Sequence, residues 1–372
     1  MARLTVPKEL NYVWEARLVR FLGVSPLLAG LIVAAVVAAT YFVPGFAFGL
    51  LPIPLQLQDS TIPIDPYSWG AIVTSLLAGF TVFALPYAQT RHLTDIADLA
   101  PVVPSLNRAG LRELYVQVVS GNARVRIAMS VVGWFVGLLV PLLSVPGALQ
   151  LLGGPNLFSD TLLPPAAFVA AGWFLVVVPV LIGSLAKASY LMTSGARRGL
   201  RELEKRIRVG ALDAELLRPL ANAGLQTSFV WMVGVAIGLL FVLDANIPPP
   251  AIFALMAMIL TLGGLAAVAP VMVGRRIMRQ AKRSGLADVR AAIARLHLDV
   301  LDPTKGTAVV RPEDDRLIKL GALLAYEQRL DSARETPLDT PAMVKFMLYL
   351  AIPVGSWLGG AFVERMVDAA LG

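Results

Sequence analysis

Long apolar runs alternating with polar or basic stretches set the rhythm of this chain. Runs long enough to cross roughly 30 Å of hydrocarbon occur at about 21–43, 69–88, 127–146, 165–186, 226–243 and 250–273. A seventh, at 342–363, is broken by Pro353, Gly355, Gly359 and Gly360. The pattern predicts an all-α polytopic membrane protein with about seven transmembrane helices. Three in–out–in hairpins are followed by the broken C-terminal segment. The first run follows four basic residues and ends in small residues, as a signal peptide does. It is longer than the roughly 7–15 residues of a signal core, so an uncleaved first span is expected.

The polar stretches carry helical periodicity of their own. In "RELEKRIRVGALDAELLRPL" the apolar Leu203, Ile207, Leu212, Leu216 and Leu217 fall on one face, with charges opposite. Residues 312–334 open with Pro312 and three acids, which suits a helix N-terminus. With 275–299 they predict a cytoplasmic helical hairpin joined by "DPTKG". The expected organisation is a cytoplasmic segment at 1–20 and a membrane domain at 21–273 with cytoplasmic helical loops 89–126 and 187–225. The hairpin at 274–341, the segment at 342–363 and a tail at 364–372 complete it. The order of two spans and a basic helix recurs three times. Identity between the copies is slight, and the general attraction of cytoplasmic loops for Arg and Lys accounts for it equally well.

Composition agrees with this picture. Hydrophobic residues make up 57% of the chain and charged residues 15%, with a mean hydropathy of +0.71. Cysteine is absent, which excludes disulfides, thiolate metal sites and cysteine nucleophiles. The net charge of +7 would suit nucleic acid, but its distribution points to membrane topology instead. Residues 1–20 hold four Lys and Arg, 89–126 five, 187–225 eight and 274–345 fourteen. The alternate loops 44–68, 147–164 and 244–249 hold none, and carry Asp59, Asp65, Asp160 and Asp244. Under the positive-inside rule this places the N-terminus in the cytoplasm of a bacterial-type inner or plasma membrane. The one remaining basic residue, Arg365, leaves the last segment open. Its length favours crossing, while the charge rule favours re-entry.

Nucleotide-binding and zinc-protease signatures are missing, so no enzyme, cofactor or metal is expected. One polar cluster, "RHLTDIAD", puts His92, Asp95 and Asp98 at spacings of three. That face would suit a divalent cation or a phosphoryl headgroup, but at a membrane-proximal helix such residues are more often simply solvated. The six clear spans carry no ionisable residue at depth, which argues against proton coupling and voltage sensing. They carry instead small residues at spacing four: Gly133 with Gly137, Gly234 with Gly238, and Gly355 with Gly359. Such faces serve intrachain packing, subunit contact or a pore lining. Pro141, Pro179, Pro270 and Pro353 are expected to kink their helices.

Two functional readings follow. The first is a homo-oligomeric channel or uncoupled permeation pathway, for an ion rather than a large solute. Gly355, Ser356, Gly359 and Gly360 would form its narrow region and the four outer acids its mouth. The second is a non-enzymatic membrane subunit whose basic helices dock a cytoplasmic protein partner or anionic lipid headgroups. A lipid-active enzyme using His92 and Asp95 is a third and weaker reading.

Overall fold

The computed structural model describes residues 7–49, 66–145, 147–154, 165–210, 212–243, 249–300 and 315–333, with isolated positions between 344 and 355. All regular structure among them is helical.

Helix α1 (Trp14–Leu22) is short and amphipathic, and turns Ala16 and Val19 inward. It stops at Gly23, whose φ of +64° closes the helix in the left-handed region that glycine tolerates. Ser25 then caps α2 (Pro26–Ala47), its Oγ accepting from the Leu28 N–H at 3.3 Å, with Pro26 in the first turn. The apolar run beginning at 21 is therefore two elements, and the long helix continues through Pro44 to Ala47. Next come α3 (Pro66–Ala97), α4 (Arg108–Ser120), α5 (Ala123–Ser144), the single turn α6 (Ala148–Leu151) and α7 (Pro165–Tyr190). A π-helical turn at Leu191–Gly195 joins α7 to α8 (Ala196–Arg206). Helices α9 (Arg218–Leu239), α10 (Pro249–Val300) and α11 (Asp315–Asp331) complete the order.

Among the described residues, five segments are long and apolar enough to span a bilayer: Pro26–Ala47, Tyr67–Ala97, Ala123–Ser144, Ala167–Arg206 and Glu215–Leu239. They fit a multi-pass membrane protein. Helix α2 packs along α3, α5 along α7, and α9 along α10, while α3 also touches α7 and α9. Helix α3 is thus central, with 61% of its apolar window buried, against 28% for α2 and 17% for α5. Val132, Phe135, Val136, Leu139, Val140 and Leu143 of α5 are exposed, an apolar flank suited to lipid.

The basic segments converge on one end of the bundle. One core joins Val13, Ala16 and Val19 of α1 to Leu111, Tyr115 and Val119 of α4. Leu200 and Leu203 of α8, Leu220 of α9 and Met278 of α10 share it. The stretch expected as one amphipathic helix over 201–220 is interrupted here. Helix α8 ends at Arg206, Ile207 is extended, and the Arg208 N–H donates to the Val102 carbonyl at 2.7 Å. Leu203, Ile207 and Leu217 are buried, but Leu212 and Leu216 lie about 40% exposed because the chain has left the helical register.

Helix α10 runs unbroken for 52 residues, roughly 78 Å at 1.5 Å per residue, so the apolar 250–273 and the basic 275–299 form one rod. Helix α11 lies antiparallel along its second half. Arg290 pairs with Glu327 at 2.7 Å, Lys282 with Asp331 at 4.0 Å, and Leu330 is buried with Val289.

Candidate functional site

The polar end of the bundle holds two adjoining features: a buried network around His92 and a basic groove between α8 and α10. The network begins with local signals. Asn107 caps α4, its side-chain oxygen accepting from the Gly110 N–H at 2.8 Å, and one turn further Tyr115 points inward. Gly195 and Gly199 let α4 dock. A Cβ on Gly195 would lie 3.0 Å from the Val119 carbonyl oxygen, and one on Gly199 2.9 Å from the Tyr115 ring.

His92 lies between α4 and α9. Its Nδ1 is 3.1 Å from the Tyr115 hydroxyl. Its Nε2 is 3.2 Å from the Ala223 carbonyl oxygen and 3.0 Å from Thr227 Oγ1. A carbonyl can only accept, so Nε2 carries the proton and Tyr115 donates to Nδ1. The Thr227 hydroxyl donates in turn to Ala223 at 3.0 Å. Every polar atom of the imidazole is thereby engaged in a neutral ring. Burial pushes the Tyr115 phenol well above its ordinary range, and Tyr12 and Asp95 push the same way. Beside the ring lies a cavity of about 20 Å³, lined among others by His92, Tyr115, Thr193, Arg197 and Thr227. That is room for about one water.

The other two residues of the "RHLTDIAD" face go elsewhere. Asp98 is exposed and pairs with Arg108 at 3.6 Å. Asp95 is half-buried, with Oδ2 enclosed and without a hydrogen-bond partner among the described residues. Spacing by three thus leaves one residue inside, one at the boundary and one in solvent. Among the described residues no group of three or more His, Asp or Glu could hold a metal ion.

Nearby, α1 is tied to the end of α7 by a buried ion pair. Lys187 Nζ donates to both Glu15 oxygens, at 2.7 and 2.9 Å. Glu15 is 1% exposed and Lys187 13%. The ammonium also sits over the Trp14 ring at 5.4 Å. Burial raises the Glu15 carboxyl above its usual range, while Lys187 opposes the rise. The Tyr12 hydroxyl anchors the same segment to α3, donating to Gln89 Oε1 at 3.0 Å.

The groove is the larger feature, an open trough of about 1150 Å³. Arg198, Arg201, Lys205 and Arg208 line one wall, with Gln280 and Ser284 of α10 opposite. Those two residues also line an adjoining depression with Arg276, Arg279 and Arg283. Seven basic side chains therefore face two acids, Glu202 and Glu204, and Lys205 already neutralises Glu202 at 2.7 Å.

Comparison with protein-family models, with curated proteins and with solved structures finds no match. The site is therefore read from its own chemistry.

The glycines singled out in the sequence have distinct surroundings. Gly133 and Gly137 meet α7: a Cβ would come within 2.6 Å of Ala186 Cβ and 2.7 Å of Pro179 Cα. A Cβ on Gly234 would meet the Phe80 ring at 2.8 Å, too close without a shift of the ring. Among the described residues, nothing lies within 4 Å of a Cβ on Gly238 or Gly355. Sequence reasoning missed Gly30 and Gly79, where α2 and α3 approach so closely that a Cβ on Gly30 would lie 2.7 Å from the Gly79 carbonyl oxygen. It also missed the Gly195–Gly199 pair, whose spacing of four was legible but lay outside the apolar runs. Asp59, Asp65, Asp160, Asp244, Pro353, Ser356, Gly359 and Gly360 lie outside the described residues, as does most of 342–363.

Proposed function

We propose that this chain is a non-enzymatic, multi-pass membrane subunit whose basic end docks an anionic partner. In this reading it has seven spans in a bacterial-type inner or plasma membrane, and its N-terminus and groove are cytoplasmic. The observation that carries the reading is the trough between α8 and α10, lined by four Arg and Lys and two acids, together with the adjoining depression, which adds three Arg. The shared core beneath it holds those walls in fixed relation, as a recognition surface needs.

The test is charge reversal at exposed wall positions. A labelled peptide of Asp and Glu is expected to bind the full-length protein in mild detergent and to lose binding in an Arg201→Glu, Lys205→Glu, Arg283→Glu variant. Equal binding by the two proteins would remove the proposal.

A second reading, a homo-oligomeric channel or uncoupled pathway for an ion, is supported by buried hydroxyls along the central helices. Thr74, Ser75 and Thr81 of α3, Ser184 of α7 and Ser228 of α9 are all buried. Hydroxyls and carbonyls are what a pathway without ionisable residues would offer. Ser75 and Thr81 instead bond back to carbonyls of their own helix, at 2.7 Å each, which places this reading second. Ion flux into liposomes no different from empty vesicles would dispose of it.

A further inference from the structure

We infer that the trough between α8 and α10 binds the phosphate headgroup of an anionic phospholipid. The inference rests on the docking role proposed above and names its ligand. Helical spacing gives the trough one basic wall: Arg198, Arg201 and Lys205 are spaced three and four apart on α8 and so share a helix face. Arg276, Arg279 and Arg283 repeat that spacing on α10 and line the adjoining depression, which shares Gln280 and Ser284 with the trough. The trough lining also includes the apolar Val118, Val209, Ile277 and Ala281. Basic and apolar residues in one lining match an amphiphile better than a wholly polar ligand.

Arg198 supplies a second observation. Its guanidinium lies over the Tyr190 ring at 5.2 Å, and Nη1 donates to the Tyr190 hydroxyl at 3.1 Å. Its Nε and Nη2 are buried and have no hydrogen-bond acceptor among the described residues. An arginine held this way brings positive charge to the trough without a hydrogen-bonded carboxylate among the described residues. The field it adds favours an oxyanion, and phosphate is the oxyanion that arginine clusters recognise best.

Depth selects a lipid over a soluble polyanion. Ile277, which lines the trough, follows the apolar run ending near 273 by four residues, roughly 6 Å along the helix, and Ser284 by eleven, roughly 16 Å. The headgroup layer extends roughly 5–8 Å beyond the hydrocarbon on each side. The mouth of the trough thus begins at headgroup level, where a phospholipid reaches it without leaving the bilayer. A bulky nucleic acid or folded protein would meet the membrane surface first.

The experiment uses the full-length protein in mild detergent, titrated with phosphatidylglycerol, phosphatidylcholine or inorganic phosphate, with retained lipid read by native mass spectrometry. Phosphatidylglycerol is expected to be retained over phosphatidylcholine. The Arg201→Glu, Lys205→Glu, Arg283→Glu variant, altered only at exposed positions, is expected to bind it about tenfold more weakly or less. A control with the same charge change elsewhere, Arg17→Glu, Arg112→Glu, Arg329→Glu, is expected to retain it. Equal retention of both lipids, or equal loss in both variants, overturns the site. Full displacement by millimolar inorganic phosphate overturns the lipid as its source. If the acidic peptide binds the wild type and not the trough variant while phosphatidylglycerol is not preferred, the lipid assignment fails and the docking role stands. If neither probe binds, both fall.

Discussion

Glu15 and Lys187 are separated by 172 positions in sequence and by 2.7 Å in space. Removing one partner of such a pair leaves an uncompensated buried charge, at a cost of about 3–5 kcal/mol. Lys187→Met is therefore expected to lower the melting temperature sharply at neutral pH. The sign of its pH dependence follows from Glu15. Burial already raises that carboxyl above its unfolded value, and loss of Lys187 raises it further. The folded state then binds more protons than the unfolded state, so stability falls as pH rises through the window between the two values. The deficit of Lys187→Met should shrink as pH is lowered toward the ordinary carboxylate range, measured by thermal unfolding in detergent. His92 makes a separate prediction. His92→Phe strands the buried Tyr115 hydroxyl, while Thr227 keeps its bond to Ala223, a loss of about 1–3 kcal/mol. An unchanged cellular lipid profile in a folded His92→Ala, Asp95→Ala variant would rule out the lipid-active reading of those residues.

Among the elements, small residues decide which helices approach. Gly137 and Gly133 lie against Pro179 and Ala186, and α5 buries little else. Gly137→Val should strain or separate α5 from α7 and lower stability by about 1–3 kcal/mol. Gly238→Ala meets nothing within 4 Å and should leave stability within about 1 kcal/mol, since alanine is the better helix former. An effect of Gly238→Val on ion flux without an effect on stability would favour the channel reading. Of the proline positions, Pro141, Pro179 and Pro270 all lie inside continuous helices.

For the whole molecule, the orientation proposed from charge is open to direct measurement because the chain has no cysteine. Single cysteines at Gln56 and Asn156 should react with an impermeant maleimide from outside the cell. Cysteines at Arg201 and Arg283 should react only after permeabilisation. The reverse pattern would turn the map inside out and place the trough on the outer face. The continuous α10 adds a mechanical consequence. Its basic half belongs to the same continuous helix that packs against α9, so occupancy of the trough is expected to bear on that packing.

Apolar runs and the one-sided placement of Lys and Arg were legible in the residues themselves, because partition into lipid sums over a segment whatever its neighbours are. The hairpin partners, the basic end and the close-packing role available to Gly133 and Gly137 were readable to that extent. The sequence could not say that Gly30 meets Gly79, that His92 turns inward while Asp98 stays in solvent, or that the basic stripe on α8 opens onto a trough shared with α10. Those outcomes depend on which face of each helix meets which, and that is decided by contacts between residues far apart in the chain. The trough exists only where α8 and α10, each unremarkable alone, are brought together over a common core.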